Sequence, residues 1–129
     1  MPAFHCTLVT PTDQLLDAEV TSVVLPAYDG EMGIEAGHAP MLVQLGYGLM
    51  RAKAAGGETK YVIGGGFAQI KDNRLTVLTD EARKPSDITK AEAQAAQSEA
   101  AALPGTSEGE AMQKQRASQR AAALARHAG

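Results

Sequence analysis

The sequence predicts a β + α protein: an N-terminal antiparallel β-sandwich, or flattened barrel, followed by a C-terminal α-helical hairpin. Up to about residue 83, short runs of β-branched and apolar residues alternate with polar ones, and glycine-rich turns separate them. No stretch of this part has helical periodicity, which argues against a βαβ fold. After Lys84 and Pro85, alanine dominates and strand-forming residues disappear. We therefore expect two domains, residues 1–84 and 85–129.

The strands are predicted from alternation of apolar and polar residues. In the first strand, Phe4, Cys6 and Leu8 point to one face and the residues between them to the other. Six further strands are predicted over residues 20–25, 41–45, 49–54, 59–63, 67–70 and 75–79. Two dipeptides between neighbouring strands are typical of hairpin turns: Gly56-Gly57 and Asp72-Asn73.

The first helix is predicted from its end signals. Ser86 or Thr89 can cap this helix, and Thr89 with Glu92 fits a capping box, in which the two residues satisfy each other's backbone N–H groups. The helix runs to about Leu103, because Pro104-Gly105 cannot continue it.

The second helix begins at another capping box, Ser107 with Glu110, and runs to about His127. The short break before it predicts an antiparallel hairpin. The hairpin has few large apolar side chains: Ile88, Leu103, Met112 and Leu124. Burying an alanine methyl yields only about 0.8 kcal/mol, so we expect the hairpin to dock weakly and to detach or repack on another protein.

Composition excludes several classes of function. Cys6 is the only cysteine, so an internal disulfide and a cysteine-based zinc site are both impossible. The net charge of −3 and the aromatic content of 4% argue against nucleic acid as a partner. No apolar run reaches the ~18–20 residues of a membrane helix, and the start lacks a signal-peptide pattern. We therefore expect a soluble chain that stays where it is made.

The charge is unevenly distributed between the two predicted domains. Residues 1–83 carry a net charge of −4 and residues 84–129 a net charge of +1. Four cations follow the last acidic residue, Glu110: Lys114, Arg116, Arg120 and Arg126. Such a basic tail can steer toward an acidic protein surface, and it can equally be an ordinary solvated helix face.

Three candidate sites can be weighed from the residue types. Catalysis by His38 would need a partner, and the sequence shows no serine elbow or cysteine dyad beside it. The carboxylates of Asp29, Glu31 and Glu35 lack the spacing of a calcium loop. The run Gly64-Gly65-Gly66 lacks the Lys-Ser/Thr of a phosphate loop, so close backbone approach is the better interpretation. We expect no catalytic residue, metal or cofactor.

Several motifs together resemble the epsilon-subunit family of the bacterial F-type rotary ATP synthases. They are the strand end Leu25-Pro26, the turn at residues 30–34 (Gly-Glu-Met-Gly-Ile) and the turn at residues 37–40 (Gly-His-Ala-Pro). Residues 4–11, 61–68 and 75–82 are similar to strands of that family. The resemblance covers residues 3–103 in register, whereas residues 104–129 match only as an alanine-rich helix.

The resemblance implies a non-catalytic rotor subunit in the central stalk, which links the gamma subunit to the c ring and couples proton flow to ATP synthesis. The implied c-ring-facing loop residues are Asp29, Gly30, Glu31, Met32, Gly37 and His38. The implied gamma-facing residues are Gly64, Gly65 and Gly66. Inhibition of ATP hydrolysis would use contacts of the basic helix with the alpha and beta subunits: Arg116, Arg120 and Arg126.

The resemblance further implies a peripheral location on the cytoplasmic face of the bacterial inner membrane, with membrane contact only through the complex. Some members carry a regulatory ATP site with the pattern Ile/Leu-Asp-x-x-Arg-Ala. Here Thr89 replaces the acid and Glu92 replaces the arginine, which reverses the local charge. We therefore expect no ATP sensing. The alternative function is a free-standing β-sandwich ligand-binding module with a helical tail.

Overall fold

The computed structural model describes residues 2–128, and the chain divides after Ala82 into two compact units. The first unit is built from two five-stranded sheets, which confirms the predicted sandwich. The second unit contains a single 3-10 turn, Pro85–Asp87, and two helices, α1 (Lys90–Ala102) and α2 (Glu108–His127).

The first sheet has the strand order β2-β1-β9-β8-β5. Its strands are β1 (Phe4–Val9), β2 (Gln14–Val20), β5 (Met41–Gln44), β8 (Phe67–Lys71) and β9 (Arg74–Leu78). All neighbours are antiparallel except β1 and β9, which pair in parallel. The N-terminal strand therefore lies inside its sheet, between its hairpin partner and a strand from the other end of the unit.

The second sheet has the order β10-β7-β6-β3-β4. Its strands are β3 (Ser22–Ala27), β4 (Gly30–Glu35), β6 (Tyr47–Ala54), β7 (Gly57–Gly64) and β10 (Glu81–Arg83). The β6–β7 and β3–β4 pairs are hairpins of neighbouring strands. β4 lies at one edge of this sheet and β10 at the other.

Alternating side chains from both sheets form the core of the first unit. β1 has the regular pattern that the sequence predicted, because Phe4, Cys6 and Leu8 are buried and the intervening residues are half-exposed. Fully buried large side chains from other strands complete the core: Leu25, Ile34, Met50, Ile63, Ile70 and Leu75.

The structure confirms one of the predicted turns and corrects two others. Asp72 and Asn73 do form a two-residue turn, with φ values of 52° and 58° that suit a type I′ hairpin. The β6–β7 loop is Ala55-Gly56, one residue earlier than predicted, and Gly57 already pairs with Ala54. The stretch from Gly30 to Ile34, predicted as a turn, lies within strand β4, and the edge strands β2 and β10 were not predicted.

The capping signals placed both helices correctly. Ser107 caps α2 with the full reciprocal capping box to Glu110. Thr89 caps α1 by accepting from the Glu92 backbone N–H, but the Glu92 side chain turns to Arg83, so this box is only half formed. Lys114 donates to the carbonyl oxygen of Ala101 at 3.3 Å, at the end of α1 nearer the loop. The two helices pack as the predicted hairpin.

Candidate functional site

An apolar groove opens on the first unit where β1, β8 and β9 lie side by side. Phe67 is paired with Leu78, and Leu78 with Val9, so these three side chains form a row on one face of the sheet. Phe67 is 52% exposed and Leu78 54%. The groove has a cavity volume of about 480 Å³ and is lined by Val9, Thr10, Pro11, Gly66, Phe67, Leu78, Thr79 and Asp80.

Three glycines carry the chain from one sheet to the other beside this groove. Gly64 ends β7, Phe67 begins β8, and Gly65 and Gly66 between them have φ values of 70° and 94°. A Cβ atom on Gly66 would lie 2.0 Å from the carbonyl oxygen of Leu78. The predicted close backbone approach is therefore found at Gly66, where any side chain would collide with β9.

The buried hydroxyl of Thr79 stabilises the crossover. Its oxygen lies 3.0 Å from the carbonyl oxygen of Gly64, 2.8 Å from that of Gly65 and 3.1 Å from that of Glu81. A hydroxyl has one proton to donate, so it shares that proton among the three carbonyl oxygens. The sequence offered no signal for Thr79, because a threonine at a strand end is common.

The residues implied to face the c ring lie on the edge strand β4 and in the turns at both of its ends. Tyr28, next to Asp29 in the β3–β4 turn, donates its N–H to Gln44 at 2.8 Å, so this turn lies beside the end of β5. At the other end of β4, the N–H of Gly37 donates to the Asn73 side chain at 2.8 Å. The six residues of β4 separate the two turns by roughly 20 Å.

Along β4 itself, Glu31 is exposed and Met32 half-buried, as expected for alternating faces of a strand. Glu31 also lies 3.7 Å from the Arg51 guanidinium, a long surface ion pair that contributes little to stability. The predicted loop cluster is therefore an exposed strand edge flanked by two turns.

His38 occupies a self-contained turn. Its Nδ1–H donates to the carbonyl oxygen of Ala39 at 2.7 Å, and its backbone N–H donates to Glu35 at 3.2 Å. Across residues 2–128, no three His, Cys, Asp or Glu side chains are arranged to hold a metal ion. Among the described residues, His38 therefore belongs to no metal-binding group, and its ring hydrogen-bonds within its own turn.

Cys6 is fully buried in the sandwich core. Burial raises the pKa of the Cys6 thiol to about 12, because the thiolate would lose its hydration. The side chain therefore stays a neutral thiol near neutral pH and packs as a small apolar group.

The three arginines of α2 differ in their surroundings. Arg116 and Arg126 are exposed, whereas Arg120 is half-buried. The hydrogen bonds from Arg83 hold the pKa of Glu92 below its ordinary value, and the charges of Arg83 and then Arg120 add to this effect. Arg83 also donates to the carbonyl oxygen of Asp87 at 3.0 Å. The positive charge of Arg120 thus favours the ionised form of Glu92 within the hairpin.

Comparison with known proteins gives a consistent result. The family model described as "ATP synthase, Delta/Epsilon chain, beta-sandwich domain" matches residues 3–85. An ATP synthase epsilon chain from Rhodopirellula baltica is 38% identical over 119 residues, covering 92% of this chain and 93% of the relative. An epsilon chain from a Synechococcus strain is 40% identical over 119 residues, covering 91% and 87%.

A solved structure is similar as well. A chain in the cryo-EM structure of the Euglena gracilis mitochondrial ATP synthase, described as OSCP/F1/c-ring, superimposes with a TM-score of 0.80 and 29% identity. The match covers 96% of this chain and 81% of that chain, so it includes both units. Neither helix in the described part of this chain is long and apolar enough to span a bilayer.

Proposed function

We infer that this chain, which belongs to the ATP synthase delta/epsilon family, is a non-catalytic central-stalk subunit of a rotary ATP synthase. The observation that carries the inference is the match to epsilon chains along nearly their whole length, together with the structural match to an ATP synthase that includes F1 and the c ring. Its task is mechanical: it links gamma to the c ring and turns with them, while the chemistry takes place on other subunits.

The groove on the first sheet is the surface we assign to gamma. It is apolar and half-exposed at Phe67 and Leu78, and exposed apolar area of this kind favours protein contact. Gly64, Gly65 and Gly66, the residues implied to face gamma, form its wall or lie next to it. The exposed carboxylate of Asp80 at the rim suits a partner that presents an apolar side chain beside a cation.

The edge of β4 is the surface we assign to the c ring. Asp29, Gly30, Glu31 and Met32 lie in its first half and the turn before it, and Gly37 and His38 in the turn after it. A contact along the whole edge accommodates all six residues, whereas a contact at one end accommodates at most four of them. The exposed carboxylates and the strand's free backbone groups suit polar loops on the partner.

The helical hairpin is the element we assign to inhibition of ATP hydrolysis through the alpha and beta subunits. Arg116 and Arg126 are exposed on α2 and carry the positive charge that an acidic surface would attract. Arg120 lies on the same helix but is half-buried, so less of its side chain is available to such a surface. We draw the boundary between the sandwich and hairpin domains at Lys84 and Pro85.

We place the protein at the membrane as part of the synthase complex, and more specifically at the cytoplasmic face of a bacterial inner membrane. The test is affinity purification of the tagged full-length chain from gently solubilised native membranes. We expect gamma, c, alpha and beta subunits in the eluate, and a size-exclusion profile dominated by one very large complex. Recovery of the chain only as a free protein would contradict the assignment and favour a separate ligand-binding module.

ATP should not bind tightly to the isolated subunit. Glu92 stands where the sensing pattern has an arginine, and it is held by Arg83, so a triphosphate would meet a carboxylate. A lost charge-assisted hydrogen bond costs roughly 1.5–3 kcal/mol, or about tenfold in affinity per 1.4 kcal/mol. Calorimetric titration should show no saturation at micromolar ATP. Glu92→Arg places a cation at this position, and Glu99→Arg, the same charge reversal farther along the helix, is its control. A micromolar dissociation constant for the unaltered chain would refute the prediction.

A further inference from the structure

A cluster of charged side chains surrounds His5 on the outer face of the first sheet. His5 is half-exposed between the buried residues Phe4 and Cys6. On β2, Glu19 lies directly opposite His5, and Asp17 lies two residues away on the same face. On the other side of β1, Arg74 of β9 is the register partner of His5. The ring therefore has two carboxylates toward the sheet edge and one cation toward the sheet interior.

Both ring nitrogens of His5 contact carboxylate oxygens. Nδ1 lies 3.0 Å from Oε1 of Glu19, and Nε2 contacts Oδ1 of Asp17. An ionised carboxylate can only accept hydrogen bonds, so each ring nitrogen must donate. A neutral imidazole has a single N–H, and only the imidazolium can make both contacts. When the ring loses a proton, one of its nitrogens carries a lone pair that faces a carboxylate oxygen, and that contact becomes repulsive.

The two carboxylates belong to a strand with few other restraints. β2 is the edge of its sheet and pairs with β1 alone. Six of its seven residues are half-exposed or exposed, and only Val20 is buried. The Tyr61 hydroxyl donates to the carbonyl oxygen of Leu15 at 3.2 Å, near the start of the strand. Asp17 and Glu19 lie in the stretch beyond that bond, where His5 adds a side-chain link across the two strands.

We propose that the His5 imidazolium, bridging Asp17 and Glu19, is a pH-sensitive clasp that holds edge strand β2 against β1. The hydrogen bonds to Glu19 and Asp17 raise the pKa of His5 above its ordinary value of 6.5, and the charges of both carboxylates add to this effect. For a raised pKa, the stabilisation is fully present below pH 6.5 and is lost as the pH rises through the folded-state value. The strand then loosens and exposes the unpaired edge of β1, a template for pairing with another chain.

The test is amide hydrogen exchange in the full-length chain, followed by NMR from pH 6 to pH 9 and corrected for the intrinsic exchange rate. The protection of β2 amides should fall across this range, while that of β9 amides stays constant. The size of the fall depends on how far the pKa of His5 in the closed strand exceeds its pKa in the open strand. Each pKa unit of difference corresponds to a tenfold loss of protection. A parallel fall in β2 and β9 would overturn the proposal, because it would report unfolding of the whole unit.

A pair of substitutions that keeps the side-chain shapes isolates the clasp. Asp17→Asn with Glu19→Gln keeps the side-chain sizes and removes both charges, so the His5 titration midpoint should move toward 6.5 and β2 protection should lose its pH dependence. His38→Gln is the matched control, because His38 bonds its own turn and should leave the β2 profile unchanged. A His5 midpoint at or below 6.5 in the unaltered chain would also overturn the proposal.

Discussion

Replacing Phe67 and Leu78 by glutamate should remove the chain from its complex while leaving the sandwich folded. Both side chains are about half-exposed and line the groove assigned to gamma, so the free protein tolerates charge there. In the complex, the same charges would be buried against an apolar surface without partners, which costs several kcal/mol. We expect affinity to fall at least ~100-fold, or roughly 2.7 kcal/mol. Recovery of gamma with the tagged double variant measures the loss.

The matched control is Gln69→Glu. Gln69 is exposed on β8, two residues from Phe67 on the same face, and it lies outside the groove. It adds a negative charge to the same strand without touching the assigned contact, and recovery of gamma should be normal. Circular dichroism and a thermal melt of each variant separate loss of contact from loss of fold. A folded double variant that still recovers gamma normally would move the contact away from the groove.

Gly66→Ala should be among the most destabilising single-methyl changes in the first unit. Residue 66 has a φ of 94°, and its new Cβ would lie 2.0 Å from the carbonyl oxygen of Leu78. Left-handed strain for a non-glycine residue costs on the order of 1–3 kcal/mol, and the collision adds to it by forcing β9 or the crossover to move. A loss of about 3 kcal/mol lowers the Tm of a domain of this size by roughly 12–24 °C.

Two other glycines divide this effect into its parts. A Cβ atom on Gly37 meets nothing within 4 Å, but φ is 81°, so Gly37→Ala measures backbone strain without collision. Gly33→Ala has neither a close contact nor positive φ and should change stability by less than ~0.5 kcal/mol. Melting temperatures should fall in the order Gly33→Ala, Gly37→Ala, Gly66→Ala. Equal melting temperatures for the last two would mean that the backbone at Gly66 relaxes freely.

Much of this fold could be predicted because local sequence and global structure agree. Ser107 with Glu110 and Asp72-Asn73 act through their immediate neighbours, and both appear in the structure as the sequence indicated. The β2 and β4 strands were missed because local preference and global structure disagree there. β2 contains two carboxylates and β4 two glycines, so local preference argues against a strand in both. Pairing with β1 and β3 overrides that preference.

The candidate surfaces were less accessible from sequence because they depend on distant pairings. Val9 and Leu78 meet in the groove only through the β1–β9 register, which no local pattern encodes. Likewise, Gly30 and His38 are close in sequence, yet the extended β4 strand places them at opposite ends of the sandwich. The charged cluster at His5 depends on such a pairing as well, because Asp17 and Glu19 reach the ring only across the β1–β2 ladder.

The parallel pairing of β1 with β9 also sets a schedule for folding during synthesis. His5 lies opposite Arg74, so the second edge of β1 stays open until about 70 more residues have been made. At 5–20 residues per second, that delay lasts roughly 4–14 s on the ribosome. Meanwhile β1 has only its β2 hairpin, and an isolated two-stranded hairpin is marginally stable in water. The nascent sandwich therefore waits as an unclosed, aggregation-exposed intermediate, whereas α1 and α2 can form at once from local contacts when they emerge.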